Sequence, residues 1–123
     1  MIEYKKVILV IILEYFSLND LYNTLDSKIS GKVLEYEIQL TDENHPIFQA
    51  HFPSNHLLPG FLHIDIASEL LNKKVIKINK AKFLLPILPL DKILFIIEEK
   101  EESYKITTKK ENKKCSEFTF VTK

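Results

Sequence analysis

Apolar and polar residues alternate along most of the chain after Gly31. In residues 32–40, the even-numbered side chains from Leu34 to Leu40 are apolar and those between them are mostly polar, which is typical of a half-buried strand. Comparable strand patterns, some alternating and one rich in β-branched residues, occur at residues 75–83, 91–99, 104–109 and 116–123. The pattern therefore predicts five or six strands.

One segment has the length and leucine content of a long helix, residues 61–73 (FLHIDIASELLNK). Pro59 and Gly60 directly before it would end an incoming strand, so the helix is predicted to begin at Gly60. Strands joined by hairpins around a single long apolar helix are typical of an α+β domain whose antiparallel sheet wraps around that helix. We therefore predict one domain spanning residues 1–123.

The N-terminal segment contains an apolar run, residues 7–13, that follows two lysines and ends at Glu14. This run is far shorter than the ~20 residues needed to cross a bilayer, and no small-residue cleavage site follows it. It is therefore predicted to be a buried strand or short helix of a cytoplasmic protein without a membrane span. Ser17 is predicted to cap a second short helix, residues 17–26 (SLNDLYNTLD).

The charges narrow the choice of partners. The net charge is zero, but residues 1–70 hold 4 Lys against 10 Asp and Glu, whereas residues 71–123 hold 13 Lys against 7, so the C-terminal part could bind an acidic partner. All 17 basic residues are lysine, and the absence of arginine disfavours nucleic-acid recognition. The cluster Lys109, Lys110, Lys113 and Lys114 is interpreted as a solvated turn or edge strand, with docking of a carrier protein as the alternative.

The sequence gives little support for a disulfide, a metal site or a phosphate-binding loop. Cys115 is the only cysteine, so no intrachain disulfide forms, and it is interpreted as an ordinary strand residue. His45, His51, His56 and His63 lack the spacing of a metal site, and two glycines cannot build a phosphate-binding loop. No metal and no cofactor are predicted, and His63 is interpreted as a packed histidine.

The predicted helix start is a candidate binding site. A helix start presents unpaired backbone N–H groups, and a glycine such as Gly60 lets a ligand's oxygen approach the backbone closely. Spacing alone puts Asp65 on the same side of the helix as Ser68, Glu69 and Asn72, which is typical of a solvated stripe.

Two segments carry a family resemblance. Residues 45–65 (HPIFQAHFPSNHLLPGFLHID) resemble the active-site block of the hot-dog-fold 3-hydroxyacyl-[acyl-carrier-protein] dehydratases, HPxFxGHFPGxPxxPGVLxxE. Residues 78–91 (INKAKFLLPILPLD) resemble the strand and turn that follow in that family. Residues 1–30 lie outside the resemblance. The chain has Ser54, His56 and Leu90 where the family has glycine, proline and glycine. Asp65, at the position of the usual glutamate, resembles the branch associated with aryl polyene synthesis.

The resemblance implies a hot-dog fold and dehydration of a 3-hydroxyacyl thioester carried by acyl carrier protein or coenzyme A. It places the catalytic histidine at His51, the carboxylate at Asp65 and the oxyanion-binding amide at Gly60. It also implies a homodimer or higher homo-oligomer in which His51 of one chain faces Asp65 of another. Acyl thioester hydrolysis and a noncatalytic acyl-binding or partner subunit remain alternatives. The residues predicted to line the acyl channel are Phe52, Leu57, Leu58, Pro59, Phe61 and Phe83.

Overall fold

The structure is a computed structural model that describes residue 18 and residues 20–50 and 55–123. In this part of the chain, a single antiparallel sheet has the strand order β1-β2-β4-β5-β6-β3, so β1 and β3 are its edges. Two helices, α1 (Pro46–Ala50) and α2 (Gly60–Leu71), lie between β2 and β3 in sequence. The six strands are β1 (Tyr22–Ser30), β2 (Val33–Leu40), β3 (Val75–Phe83), β4 (Lys92–Glu99), β5 (Tyr104–Lys110) and β6 (Lys113–Thr122).

The five strand segments predicted from the pattern are confirmed as β2 to β6, and the long helix begins at the predicted Gly60. The short helix predicted over residues 17–26 is confirmed only at its start, where Leu18, Asp20 and Leu21 are helical, and is wrong from Tyr22 onward, where the chain forms β1. This strand pairs with β2 from Tyr22↔Leu40 to Ser30↔Val33, across a tight turn that Gly31 permits with a φ of 61°. Ladder hydrogen bonds to β2 thus outweigh the helical spacing of the leucines. Ser17 and residues 7–13 lie outside the described residues.

Helix α2 and the sheet share one hydrophobic core. Leu62 and Ile66 of α2 are fully buried, as are Phe95, Phe118 and Phe120 of the sheet. Truncating a buried side chain of this size to alanine typically costs about 2–5 kcal/mol. The core therefore fixes α2 against the sheet, including the first turn of the helix.

Both ends of α2 are defined by local contacts. Asn72 adopts a left-handed conformation (φ 53°), and its N–H donates to the Glu69 carbonyl, which ends the helix. The Glu69 side chain accepts a hydrogen bond from the hydroxyl of Tyr22, at the start of β1. Burial, followed by this hydrogen bond, raises the pKa of Tyr22 above its ordinary value. Tyr22 therefore stays protonated and ties edge strand β1 to the helix.

The loop between β3 and β4 contains a strained turn. The Asp91 N–H donates to the Leu88 carbonyl at 3.2 Å, with Pro89 and Leu90 between them. Leu90 has a φ of 69°, so this is a type II turn with leucine at the position that normally takes glycine. The Asp91 carboxylate stabilises the turn by accepting from the Leu88 N–H at 2.7 Å and from the Lys110 ammonium at 2.8 Å.

We expect Leu90→Gly to stabilise the protein by up to about 1 kcal/mol. A left-handed conformation costs a non-glycine residue roughly 1–2 kcal/mol, part of which is offset by the greater freedom of glycine in the unfolded chain. Little burial is lost, because Leu90 is 60% exposed. Urea unfolding measures the change, and Leu84→Gly is the control because Leu84 is 52% exposed without a positive φ. A lower stability for Leu90→Gly would contradict the strain.

Candidate active site

The start of α2 is held against the loop that follows β3. The Leu58 N–H donates to the Ile87 carbonyl at 2.8 Å, and Pro59 continues in an extended conformation (φ −59°, ψ 145°) directly before the helix. No side chain caps this helix start. Among the described residues, no acceptor receives a hydrogen bond from the Gly60 N–H. The Gly60 amide is thus a donor at the positive end of the helix dipole.

An open groove of about 490 Å³ lies beside this helix start. We call it the α2 groove. Its walls come from the segment that enters α2, from the first turn of the helix, and from the end of β3 with residues 84–86. His63 is the only side chain with polar nitrogen or oxygen atoms among these lining residues, so the groove suits an apolar group. The α2 groove contains five of the residues predicted to line the acyl channel: Leu57, Leu58, Pro59, Phe61 and Phe83. Gly60 also lines the groove.

Gly60 is needed here for space rather than for backbone conformation. Gly31 is the only glycine with a positive φ. At Gly60, an added Cβ would lie 2.9 Å from the Cζ atom of Phe83, closer than side-chain carbons approach one another. The Phe83 ring therefore packs over the Cα of Gly60, although the side chain as a whole is 47% exposed. A methyl group at position 60 would therefore have to displace this ring.

Asp65 lies five residues after Gly60 on α2, which is about 7.5 Å along the helix axis. Its side chain is partly buried, and the Oδ2 atom is shielded from solvent. The solvated stripe expected from spacing holds for Glu69 and Asn72, which are exposed, and less well for Asp65. His51 and Phe52 lie outside the described residues, so the pairing of His51 with Asp65 stays a prediction.

His63 is a buried residue that lines the α2 groove. Its side chain is 2% exposed, as expected for a packed histidine. Its Nδ1 atom lies 2.9 Å from the Ser116 hydroxyl, which in turn lies 2.6 Å from the Thr108 hydroxyl. Burial lowers the pKa of His63 to about 4, and a hydrogen bond to the Leu58 backbone partly opposes this shift. The imidazole is therefore neutral at neutral pH. Spacing in the sequence provides no signal for these partners, since they meet through strand pairing.

The histidines at positions 45 and 56 hydrogen-bond to nearby backbone groups, and the cysteine is buried. The Nδ1 atom of His45 accepts the Ile47 N–H at 3.1 Å, and a ring nitrogen of His56 lies 2.8 Å from the Phe48 carbonyl. Within the described ranges, no three His, Cys, Asp or Glu side chains gather as metal ligands. Cys115 is buried, which raises the pKa of its thiol. No helix in the described part of the chain is long and apolar enough to cross a membrane.

We expect Gly60→Ala to lower the free energy of unfolding by about 1–3 kcal/mol, because the new methyl group must displace the Phe83 ring. In a Phe83→Ala background the clash is absent. The same change should then be neutral or stabilising, since alanine favours a helix over glycine by about 1 kcal/mol. A double-mutant cycle followed by urea unfolding measures the coupling. Equal losses in the two backgrounds would show that the ring does not set the requirement for glycine.

Comparisons with known proteins agree with this architecture. The family model described as ApeI-like, ApeI dehydratase, matches residues 26–119. No curated protein matches the chain. Among solved structures, a chain of the dehydratase heterocomplex ApeI:P from Xenorhabdus doucetiae shares 22% identity and a TM-score of 0.70, covering 81% of this chain and 96% of its own.

Two further solved structures are similar. An uncharacterized protein from Erwinia carotovora subsp. atroseptica shares 21% identity and a TM-score of 0.56, over 82% of this chain and 92% of its own. A candidate thioesterase from Lactococcus lactis shares 16% identity and a TM-score of 0.50, over 86% of this chain and 94% of its own. At these identities the likeness shows the fold, which is the hot-dog fold predicted from the sequence.

Proposed function

Because the chain belongs to the ApeI-like dehydratase family, we propose that it removes water from a 3-hydroxyacyl thioester and releases the trans-2-enoyl thioester. One observation carries the proposal. A partly buried carboxylate, Asp65, and an uncapped helix-start amide, Gly60, lie on one helix, and that helix start opens onto the apolar α2 groove. An acyl chain fits such a groove, while the two polar groups suit the two ends of the reaction.

The reaction needs help at two carbons. A base must take a proton from the carbon next to the thioester carbonyl, and an acid must assist the hydroxide that leaves the following carbon. In the proposed mechanism, neutral His51 takes the proton and Asp65 assists the departing hydroxyl, directly or through a water molecule. The Gly60 N–H stabilises the carbonyl oxygen as it gains negative charge. The C–H and C–O bonds break, the C=C bond forms, and one water molecule leaves.

The proposed active unit contains at least two chains. Strand β3 is an edge of the sheet, so one side of its backbone faces no other described strand. Exposed apolar side chains continue along this edge and into the loop after it, including Ile76 and Ile78, which are 58% and 49% exposed. Such an edge favours pairing with a second strand. Pairing of two copies through β3 would build the site from Asp65 of one chain and His51 of the partner subunit.

The proposed acyl donor is a carrier protein, because the sheet surface near β3 is rich in lysine. Register pairs Lys80 with Thr119 and Lys82 with Glu117, so these side chains share the sheet face that points away from α2. The hydrogen bond and charge of Lys114, with the charges of Lys105 and Lys82, lower the pKa of Glu117, which is the effect of a positive surrounding. We call this surface the lysine face. It consists of Lys77, Lys80, Lys82, Lys105 and Lys114.

We expect the double substitution Lys80→Glu and Lys82→Glu to raise KM for a carrier-linked substrate at least tenfold at low salt, with kcat little changed. Charge reversal converts attraction of an acidic carrier into repulsion, and added salt should narrow the difference. KM for the same acyl group on pantetheine should stay at the wild-type value. Lys28→Glu, on the opposite edge strand β1, is the control. Equal effects on both substrates would argue against docking at the lysine face.

The proposed reaction is tested with a panel of 3-hydroxyacyl thioesters on carrier protein, coenzyme A and pantetheine. Enoyl absorbance in the ultraviolet, without release of free thiol, supports dehydration. Free thiol without enoyl product would instead support thioester hydrolysis, the activity suggested for the similar Lactococcus lactis protein. The panel is repeated with candidate partner chains, since the similar Xenorhabdus doucetiae protein belongs to a heterocomplex. If neither enoyl product nor free thiol forms under any condition, the remaining interpretation is a noncatalytic subunit.

A further inference from the structure

The buried pair Ser116 and Thr108 lies in one row across the sheet. Ser116 pairs directly with Phe83 of β3 on one side and with Thr108 of β5 on the other. Ser116 and Thr108 are both fully buried, and His63 of α2 contacts this row from the helix side. Three polar side chains from three elements therefore meet inside an otherwise apolar core. Burying polar groups in this way is costly unless they are hydrogen-bonded, as they are here.

His63 reaches both sides of the Gly60 site. The Leu58 backbone, two residues before Gly60, lies beside the ring and partly opposes the lowering of its pKa by burial. The Leu58 N–H already donates to the Ile87 carbonyl, so the Leu58 carbonyl is the group available to the imidazole. The same ring meets the Phe83 ring edge-on, with centroids 5.1 Å apart and planes at 89°. Phe83 is the residue that covers the Cα of Gly60.

We propose that His63 is a positioning residue that connects the sheet to the segment entering α2, and thereby holds the Gly60 amide in place for the thioester oxygen. The donors run in one direction in this arrangement. The Thr108 hydroxyl donates to Ser116, the Ser116 hydroxyl donates to Nδ1 of His63, and the remaining ring N–H donates to the Leu58 carbonyl. A leucine at position 63 would fill the core but could not make either bond. The inference rests on the proposed function, since it assigns the amide a role in the reaction.

The test compares His63→Leu, His63→Gln and Ser116→Ala with wild type, and uses Thr119→Ala as the control. Thr119 lies on the same strand as Ser116 but on the opposite face of the sheet. We expect kcat to fall roughly 10- to 100-fold in His63→Leu and less in Ser116→Ala, with KM changed under threefold, as for a misplaced oxyanion donor. His63→Gln, which keeps one donor and one acceptor, should recover part of the loss. Thr119→Ala should match wild type.

Wild-type kcat in folded His63→Leu would overturn the proposal, as would equal losses in His63→Leu and His63→Gln. If His63→Leu does not fold, the remaining variants decide, and wild-type kcat in Ser116→Ala would overturn the proposal. A second readout does not depend on catalysis. Amide NMR should show that Ser116→Ala shifts the Leu58 and Gly60 resonances and Thr119→Ala does not. Unshifted resonances would overturn the positioning role even if dehydration is observed, whereas shifted resonances in an inactive wild-type protein would overturn only the proposed function.

Discussion

Asp65→Asn is expected to lower the rate of enoyl thioester formation by roughly 10²- to 10⁴-fold, the usual contribution of a positioned acid or base. Asparagine has almost the same shape as aspartate but cannot donate a proton to the departing hydroxyl. The position is partly buried on α2, so a substitution that preserves shape should leave the fold intact. The measurement is initial velocity by ultraviolet absorbance, with thermal unfolding as the check on folding.

Asp65→Glu is the matched control for this prediction. It keeps the carboxyl group and lengthens the side chain by one methylene. Glutamate is also the residue found at this position in the better-known dehydratases that the sequence resembles. We therefore expect it to retain most of the activity. If Asp65→Asn turned over substrate as fast as wild type, the carboxylate would have no part in the reaction. If Asp65→Glu were as slow as Asp65→Asn, geometry rather than the acid would dominate.

The second large effect is recovery of activity on mixing two inactive variants. His51→Ala and Asp65→Ala should each be inactive alone, and unfolding and refolding them together should restore roughly a quarter of wild-type activity. Random pairing makes about half of the dimers mixed, and each mixed dimer then has one site with both substitutions and one with neither. The expectation follows from a site shared between His51 of one chain and Asp65 of the other.

Mass spectrometry of differently tagged variants shows whether mixed dimers form, which is the control that the experiment requires. Mixed dimers without recovered activity would mean that both residues act within one chain or that the dimer is arranged differently. Refolding His51→Ala with itself sets the baseline for incomplete inactivation. Activity above a quarter would point to preferential pairing of unlike variants, because random assembly leaves about one site in four intact whatever the size of the assembly.

Local pattern was sufficient for most of the elements. Alternation predicts a strand at residues 75–83, where β3 lies at Val75–Phe83, and the Pro59–Gly60 pair marks the start of α2. Both depend on short-range preferences: alternation that suits a pleated strand, and a break that proline and glycine impose on any incoming strand. The resemblance of residues 45–91 also indicates the fold and the family.

Local pattern was misleading where tertiary pairing outweighed it. The spacing of apolar residues from Leu18 to Leu25 suits a helix, but β2 offers a complete ladder of partners, and residues from Tyr22 onward take the extended form. Leu25 is then left 45% exposed at an irregularity in the strand. The cost of exposing one leucine is small compared with the backbone hydrogen bonds of a nine-residue strand.

The sequence by itself supplied the candidates for the chemistry, because the resemblance of residues 45–65 singles out His51, Gly60 and Asp65. Only the tertiary structure decided what surrounds Gly60. Phe83 lies 23 residues after Gly60 in the chain, and Ser116 lies 53 residues after His63. The contacts within each pair depend on strand register and on the depth at which α2 packs. Register is set by the burial of one whole face of each strand, which is a property of the assembled sheet and not of any single segment.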